Sequence, residues 1–344
     1  MSLDKYIQAL AKGQNLTVEE SYLAATALLG DVEPVLAGSF LSLLHAKGET
    51  ADELLGFHRA LTGSSRKIQI DKPFIDIVGT GGDKAGTLNI STGGSLLVAA
   101  CGVPVIKHGN RAVSSSCGSA DVLAELGFNL NLSDEDVHHA IDNNQFAFLF
   151  APNFYPVLRK LNEVRRKLAT PTIFNLMGPL LNPAGRHHII LGVYQAKYVP
   201  VIAEALFKLG TTRSLVFHGN GLDELSCLDN LHAKLVTHDS IEDININLKE
   251  LNLSQSQLSD LAGGDRMYNA QMLIKTLNGT KTGISDSLAL NAGAALWVYG
   301  SVENLFDGVK LAQARLAEGN IIKLNKLQQI VHRKYQAPTK RKSM

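Results

Sequence analysis

Hydrophobic positions along this chain change period near residue 70. Upstream of it, Val18, Tyr22, Ala25 and Leu29 recur at helical spacing. Thr17 precedes that run with Glu20 three positions on, the signature of a capping box. Further helices are predicted over 36–45 and, after the Lys47-Gly48 break, over 51–61, and Gly63-Ser64-Ser65 has linker composition. Residues 1–65 therefore read as a small helical domain carrying more apolar helix surface than it can bury alone.

Downstream, short apolar runs at 74–78, 103–106, 189–194 and 215–217 alternate with helical patterns, which is the α/β signature. Ser133 is placed to cap one helix, with Asp136 at its third position. LAGGDRMYNAQMLIKTLNG and SDSLALNAGAALWVYG read as closing helices. The prediction is an α/β chain in two parts: a helical domain over 1–65 and a larger domain over 70–335 around a mainly parallel sheet. A short basic tail follows at 336–344. Residues 228–260 are polar and carry no chemistry that we read.

Composition narrows the class. A length of 344 residues suits a large domain plus a smaller one, and 45% hydrophobic residues is ample for packed cores. Lys and Arg total 33 against 32 Asp and Glu, so wholesale nucleic-acid binding is not expected. Three cysteines without CxxC spacing favour reduced thiols over disulfides or zinc. No run reaches membrane-spanning length, and the opening MSLDKYIQALAKG lacks a cationic segment followed by an apolar one. A cytoplasmic location is the expectation.

The chemistry concentrates in two strand ends. After 74–78 come Gly79, Gly81 and Gly82 around Thr80, then Asp83, Thr87, Asn89, Ile90, Ser91 and Thr92. After 103–106 come Lys107, His108, Gly109, Asn110 and Arg111, then Ser114, Ser115, Ser116 and Ser119. A lone GTGG is ordinarily a turn, and neither the Rossmann nor the Walker spacing is present. Two such loops one crossover apart, rich in backbone N–H, hydroxyls and positive charge, describe phosphate binding at the carboxyl ends of parallel strands. Gly263-Gly264 has similar composition but nothing further to support it.

Two more stretches carry weight. In 153–184, one helix bearing Arg159, Lys160, Arg165, Arg166 and Lys167 is first of all a solvated basic face. It leads into Gly178-Pro179, however, and an arginine fork there matches a carboxylate. The stretch 215–224 ends in His218-Gly219-Asn220-Gly221-Leu222-Asp223-Glu224, a solvated turn or a hard-cation site, since Mg²⁺ uses few carboxylates and keeps phosphate oxygens. On an extended segment Asp223 and Glu224 face opposite ways, which fits two ions or a bent loop. His138-His139 read as surface or packing residues.

DIVGTGGD, TLNIST, KHGNRAVSSSCGSAD, PTIFNLMGPLLNPAG and GLDELS resemble, in order, the motifs of the anthranilate phosphoribosyltransferase family. The likeness spans KGET at Lys47 through NAGAAL at Asn291. It implies the nucleoside phosphorylase/phosphoribosyltransferase catalytic fold. It also implies a homodimer whose contact is formed by the helical domain, joined by helices from about 130–180. The implied activity is transfer of the phosphoribosyl group of PRPP to anthranilate, the second step of tryptophan biosynthesis from chorismate. The resemblance carries PRPP to Gly79, Gly82, Asp83, Thr87, Asn89, Ile90, Ser91, Thr92, Lys107, Ser115 and Ser119. It carries anthranilate to Gly79, His108, Asn110, Arg165 and Gly178. Mg²⁺, as two ions, falls to Ser91, Asp223 and Glu224; Lys107, Arg165, Asp223 and Glu224 are the implied catalytic set.

Departures fall mainly on the acceptor side. Phe154 and Tyr155 stand where the family commonly has a histidine-containing stretch, and Pro171 where many members have arginine before TIFN. Lys84, Leu88 and Ser116 also differ. Competing readings are a phosphoribosyltransferase for another aromatic amine, a pyrimidine nucleoside phosphorylase relative, and a non-catalytic nucleic-acid-binding paralogue. The phosphorylase signature KHSTGG is absent, and balanced charge with intact motifs disfavours the paralogue.

Overall fold

The computed structural model describes residues 2–112, 116–185, 187–319 and 321. Four helices open the chain: α1 (Asp4–Ala11), α2 (Val18–Leu29), α3 (Pro34–Lys47) and α4 (Ala51–Gly63). The sheet domain begins with β1 (Ile75–Gly79), α5 (Ile90–Ala100), β2 (Val105–Gly109), α6 (Ser119–Glu125), α7 (Asp134–Asn144) and β3 (Phe146–Phe150). Short helices α8 (Ala151–Phe154), α9 (Asn162–Leu168) and α10 (Ile173–Met177) lead to β4 (His188–Gly192), α11 (Tyr198–Lys208) and β5 (Arg213–Phe217). The chain then forms β6 (Leu231–Thr237), β7 (Ile241–Ile246), α12 (Arg266–Leu277), α13 (Ser285–Tyr299) and α14 (Leu305–Glu318).

The seven strands lie in the order β3-β2-β1-β4-β5-β6-β7. The first five are parallel, and β6 and β7 add an antiparallel hairpin at one edge. Strand order thus reverses between β1 and β4, the position where parallel sheets gather ligands. Two cores flank the sheet. One packs α5, α6, α12, α13 and α14 against residues such as Ile77, Val105 and Phe217. The other merges the four N-terminal helices with α10, α11 and the opposite face, including Ile106, Leu149 and Leu191. The excess apolar surface of 1–65 is therefore largely buried within the chain.

Capping explains the helix starts. Thr17 with Glu20 and Ser133 with Asp136 form the boxes read from sequence, and Thr50 with Glu53 forms another. Two readings are corrected. The one helix read as bearing Arg159 to Lys167 is broken: a tight 3₁₀ turn at Pro156–Leu161 carries Arg159 and Lys160 and precedes α9, Ala169 adopts φ 51°, and α10 begins beyond Pro171. Prolines at 156 and 171 remove helical donors and bias their predecessors away from helix. Strand β2 runs through Gly109, so Lys107 and His108 lie within the sheet, not in a loop. Residues 228–260, read as polar and without chemistry, contain the β6–β7 hairpin, which periodicity does not identify, nor does it identify α14. The 336–344 tail lies outside the described residues.

Close helix packing supplies a test of the bundle. A Cβ on Gly56 would meet Ser21 Cβ at 2.4 Å and Val18 O at 2.5 Å, so α2 and α4 touch through that glycine. Mid-helix Gly→Ala normally gains about 1 kcal/mol. Here the clash with backbone outweighs it, and Gly56→Ala is expected to destabilise by about 1–3 kcal/mol in urea unfolding. Gly13→Ala is no substitute control, because Gly13 has φ 71°.

Candidate active site

The site is built where β1, β4 and β2 end. Gly79 and Gly192 pair in register at the tips of β1 and β4. A Cβ on Gly79 would lie 2.2 Å from Asp223 Oδ2, and one on Gly192 would lie 1.9 Å from the Asp223 carbonyl oxygen. Only hydrogen at both tips lets the 218–224 turn lie across the strand ends. The Asp223 carboxylate then accepts the Gly81 N–H, while Glu224 Oε1 accepts the Ser91 N–H at 3.1 Å and Ser91 Oγ at 2.8 Å. The two acids face different elements, as alternation along an extended turn requires. Asp83 adds a third, its Oδ1 accepting the Ala85 N–H at 3.1 Å and its Oδ2 the Asp223 N–H at 3.5 Å.

The loop after β1 is shaped by left-handed residues: Gly81 at φ 68°, Gly82 at 89° and Lys84 at 59°. Thr80 Oγ1 receives the Tyr194 N–H at 3.0 Å, tying this loop to the end of β4. Thr87 bridges to Ala262. Ile90 and Thr92 are fully buried within α5, and Thr92 Oγ1 has no partner among the described residues. The loop after β2 is braced by Asp121, which accepts from Ala112 N, Gly118 N and Arg111 Nη1. Ser119 Oγ donates to the Asn110 carbonyl at 3.4 Å. Ser115 lies outside the described residues.

Electrostatics single out the acids. Burial, then the Glu224 and Asp83 charges, raise the Asp223 carboxyl well above its ordinary range. Burial pushes Glu224 up to about 7, against the lowering effect of Lys107 and the Ser91 hydrogen bonds. Lys107 is 2% exposed, and its ammonium donates to the Ile77 carbonyl. Burial lowers its pKa while Asp76, Glu224 and Asp223 oppose the shift. Among the described residues no group of three or more His, Cys, Asp or Glu side chains forms a closed metal cage. The donor set of Ser91, Asp223 and Glu224 nevertheless fits a hard cation. Lys107 offsets these buried acids only in part, and Mg²⁺ completes its shell with water and phosphate oxygens.

Alternation along β2 sends His108 to the sheet face opposite Lys107. Its ring meets Tyr155 edge-on at 6.1 Å, and burial pushes its pKa down to about 4, so it is a neutral imidazole near the Gly178 backbone. Arg165 sits on α9 with its guanidinium 5.2 Å from the Phe174 ring of α10, and burial alone lowers its pKa. Asn175 of α10 lies 4.0 Å from where a Gly82 Cβ would be. Helix α10 thus brings Asn175 to the Gly82 loop and Gly178 to His108, while Arg165 packs on α10 through Phe174.

The glycosyl transferase family α/β domain matches residues 71–322, and the helical bundle domain of that family matches 4–65. An anthranilate phosphoribosyltransferase of Bacillus mycoides is 40% identical, over 96% of this chain and 98% of its own. One from Chlamydia caviae is 37% identical over 94% of each chain. The crystal structure of the Thermus thermophilus enzyme superposes with a TM-score of 0.87 at 39% identity, covering 94% of this chain and 98% of that one. The chain belongs to the anthranilate phosphoribosyltransferase family. The Saccharomyces cerevisiae member, solved in complex with PRPP and Mg, shares the fold at a TM-score of 0.85 and 24% identity.

Against the family pattern, the departures at Tyr155 and Pro171 differ in placement. Tyr155 is buried against His108, whereas Pro171 is exposed just before α10. Phe154 is buried under the Arg66 guanidinium, 5.0 Å from its ring. Sequence reasoning missed Tyr194, Asn175, Asn269, Asp76 and Asn182. Asp76 carried a signal, being an acid inside the apolar run FIDIV. It is buried in β1 and accepts from Asn182 Nδ2 at 2.9 Å, and Asn182 Nδ2 also donates to the Ile106 carbonyl at 2.8 Å.

Burial pushes Asp76 up to about 6 from an ordinary value of 3.8, with Lys107 and Asn182 opposing. The folded state therefore holds this proton more tightly than the unfolded chain. The stabilisation is present below about pH 4 and is lost as pH rises to about 6. Asp76→Asn removes that loss. Its stability relative to wild type is expected to rise by about 1 kcal/mol per pH unit between pH 4 and 6, then level off. Urea titrations of both proteins at half-unit pH steps check this.

Proposed function

We propose that this chain transfers the 5-phosphoribosyl group of PRPP to the amine of anthranilate, with release of diphosphate. The observation that carries this reading is the meeting of two anion-suited loops and a buried acidic turn at the β1/β4 reversal. The loop after β1 and the loop after β2 would hold the phosphates. Ser91, Asp223 and Glu224 would hold Mg²⁺, as two ions. Bound there, the metal supplies charge that offsets the diphosphate and the buried acids. Lys107 adds a fixed ammonium from beneath.

In the reaction the ribose C1–oxygen bond to diphosphate breaks, the C1–nitrogen bond forms, and one amine proton leaves. The protein's part is alignment and charge stabilisation, with no covalent nucleophile. Holding both substrates in line contributes about 7–11 kcal/mol, and one preorganised donor about 3–4 kcal/mol. Arg165 has no carboxylate in ion-pair range among the described residues, which supports a role in receiving that of anthranilate. His108, neutral and buried, would shape the acceptor wall with Asn110 and Gly178. Family likeness further supports a cytoplasmic homodimer. No helix among the described residues is long and apolar enough to cross a membrane, and Val35, at the start of α3, is 77% exposed.

Anthranilate fluorescence is expected to decay when protein, PRPP and Mg²⁺ are combined; a flat trace overturns the proposal. Decay with another aromatic amine but not with anthranilate reassigns the acceptor, the reading that Tyr155 beside His108 makes worth testing.

Two substitutions separate the substrates. Glu224→Gln is expected to cut kcat by roughly 100-fold or more while leaving the melting temperature within a few degrees. Arg165→Ala is expected to raise the KM for anthranilate roughly 10- to 100-fold and leave that for PRPP within about twofold. Steady-state kinetics with each substrate varied in turn check both.

A further inference from the structure

Gly263-Gly264, a phosphate-turn composition by sequence, has its polar groups spent elsewhere. Gly263 N–H donates to the Gly86 carbonyl at 2.8 Å, and Leu88 N–H donates to the Leu261 carbonyl at 2.8 Å. The Gly264 carbonyl accepts Ser116 Oγ at 2.9 Å. A Cβ on Gly263 would meet the Thr87 carbonyl oxygen at 2.6 Å and Leu88 N at 2.9 Å. The segment 261–264 is thus a strap laid against both the loop after β1 and the loop after β2.

Asn269, in the first turn of α12 and 1% exposed, completes it. Its Oδ1 accepts the Gly264 N–H at 2.8 Å, and its Nδ2 donates to Asn89 Oδ1 at 3.0 Å. Asn89 Nδ2 in turn donates to the Cys117 carbonyl at 3.1 Å. Amide orientations here are fixed from both ends. A backbone donor at Gly264 dictates which atom of Asn269 faces it, and a backbone acceptor at Cys117 dictates the same for Asn89. The second N–H of Asn89 is the group this leaves for an anion.

We propose that Asn269 and the 261–264 strap are positioning elements for the donor site. They lock the Asn89 amide with its N–H, not its oxygen, toward the phosphoribosyl donor, and hold the two loops at fixed separation. This rests on the functional reading above and deepens it, because Asn269 lies outside the set that the family motifs bring to the substrate.

The test is a cycle of Asn89→Ala, Asn269→Asp and the double variant. Asp at 269 keeps the acceptor for Gly264 N–H but places an oxygen against Asn89 Oδ1, so the Asn89 amide must turn. Asn269→Asp is expected to raise the KM for PRPP at least tenfold, with the anthranilate KM within about twofold. The double variant is expected to be no worse than Asn89→Ala alone, as two members of one chain of contacts require. Additive losses, or equal rises in both KM values, overturn the proposal. Hydrogen exchange judges the strap without turnover: in Gly263→Ala, whose Cβ would clash with Thr87 and Leu88, the Leu88 amide is expected to exchange at least tenfold faster. Unchanged exchange there overturns the strap even where activity falls. A wild-type protein without turnover overturns the functional reading instead, and exchange alone then decides the strap.

Discussion

The arrangement depends on one close approach: an acidic turn lying flush on two glycine strand tips. Gly79 and Gly192 end neighbouring parallel strands in register, and the backbone and carboxylate of Asp223 occupy the volume their side chains would take. That contact puts Asp223 on the loop after β1 and Glu224 on the start of α5. It also strands two carboxylates in a poorly hydrated place, where isolated charge is expensive. Lys107 beneath them is a partial answer, itself pulled down by burial and held up by three acids. A site with this imbalance is prepared for added cation and for the phosphates that accompany it.

The pleat of β2 then divides the labour. Lys107 and His108 are sequence neighbours, and strand geometry alone sends them to opposite faces. Lys107 joins the acids and α5. His108 joins Tyr155, Gly178 and the helices that merge with the N-terminal bundle. One buried ammonium and one neutral ring, adjacent in sequence, separate a charged side of the sheet from an aromatic one. The bundle is thereby part of the site's support, since its core is continuous with the face that carries His108.

What the sequence made legible follows from the range of the interactions involved. Capping boxes at Thr17, Thr50 and Ser133 are decided within a few residues, and strand ends rich in glycine announce themselves in the same way. The two glycine- and hydroxyl-rich loops and the acidic turn were readable for that reason. Lys107 was misplaced into a loop because a lysine inside a buried strand contradicts the periodicity that finds strands. The basic helix bearing Arg159 to Lys167 was read as one piece because the turn after Pro156 breaks it without erasing its charge pattern. Asn269 was invisible because its meaning lies in Asn89, far away in sequence, and no local pattern encodes that contact. Asp76 signalled itself only as an acid among apolar residues; its partner Asn182 arrives from the other end of the 153–184 region.

Lys84 shows how these levels trade against one another. It holds φ 59° where family likeness leads one to expect glycine, a conformation costing an L-residue about 1–2 kcal/mol. A loop bearing that strain would relax if it were free. It is held instead at both ends: Asp83 accepts the Ala85 N–H on one side of the turn, and Gly86 and Leu88 are bonded to the strap on the other. Two strap hydrogen bonds, at about 1 kcal/mol each, are enough to offset the strain. The departure at Lys84 is therefore tolerable in this chain because 261–264 fixes the loop, and what looks like a local substitution is balanced by a segment nearly 180 residues away.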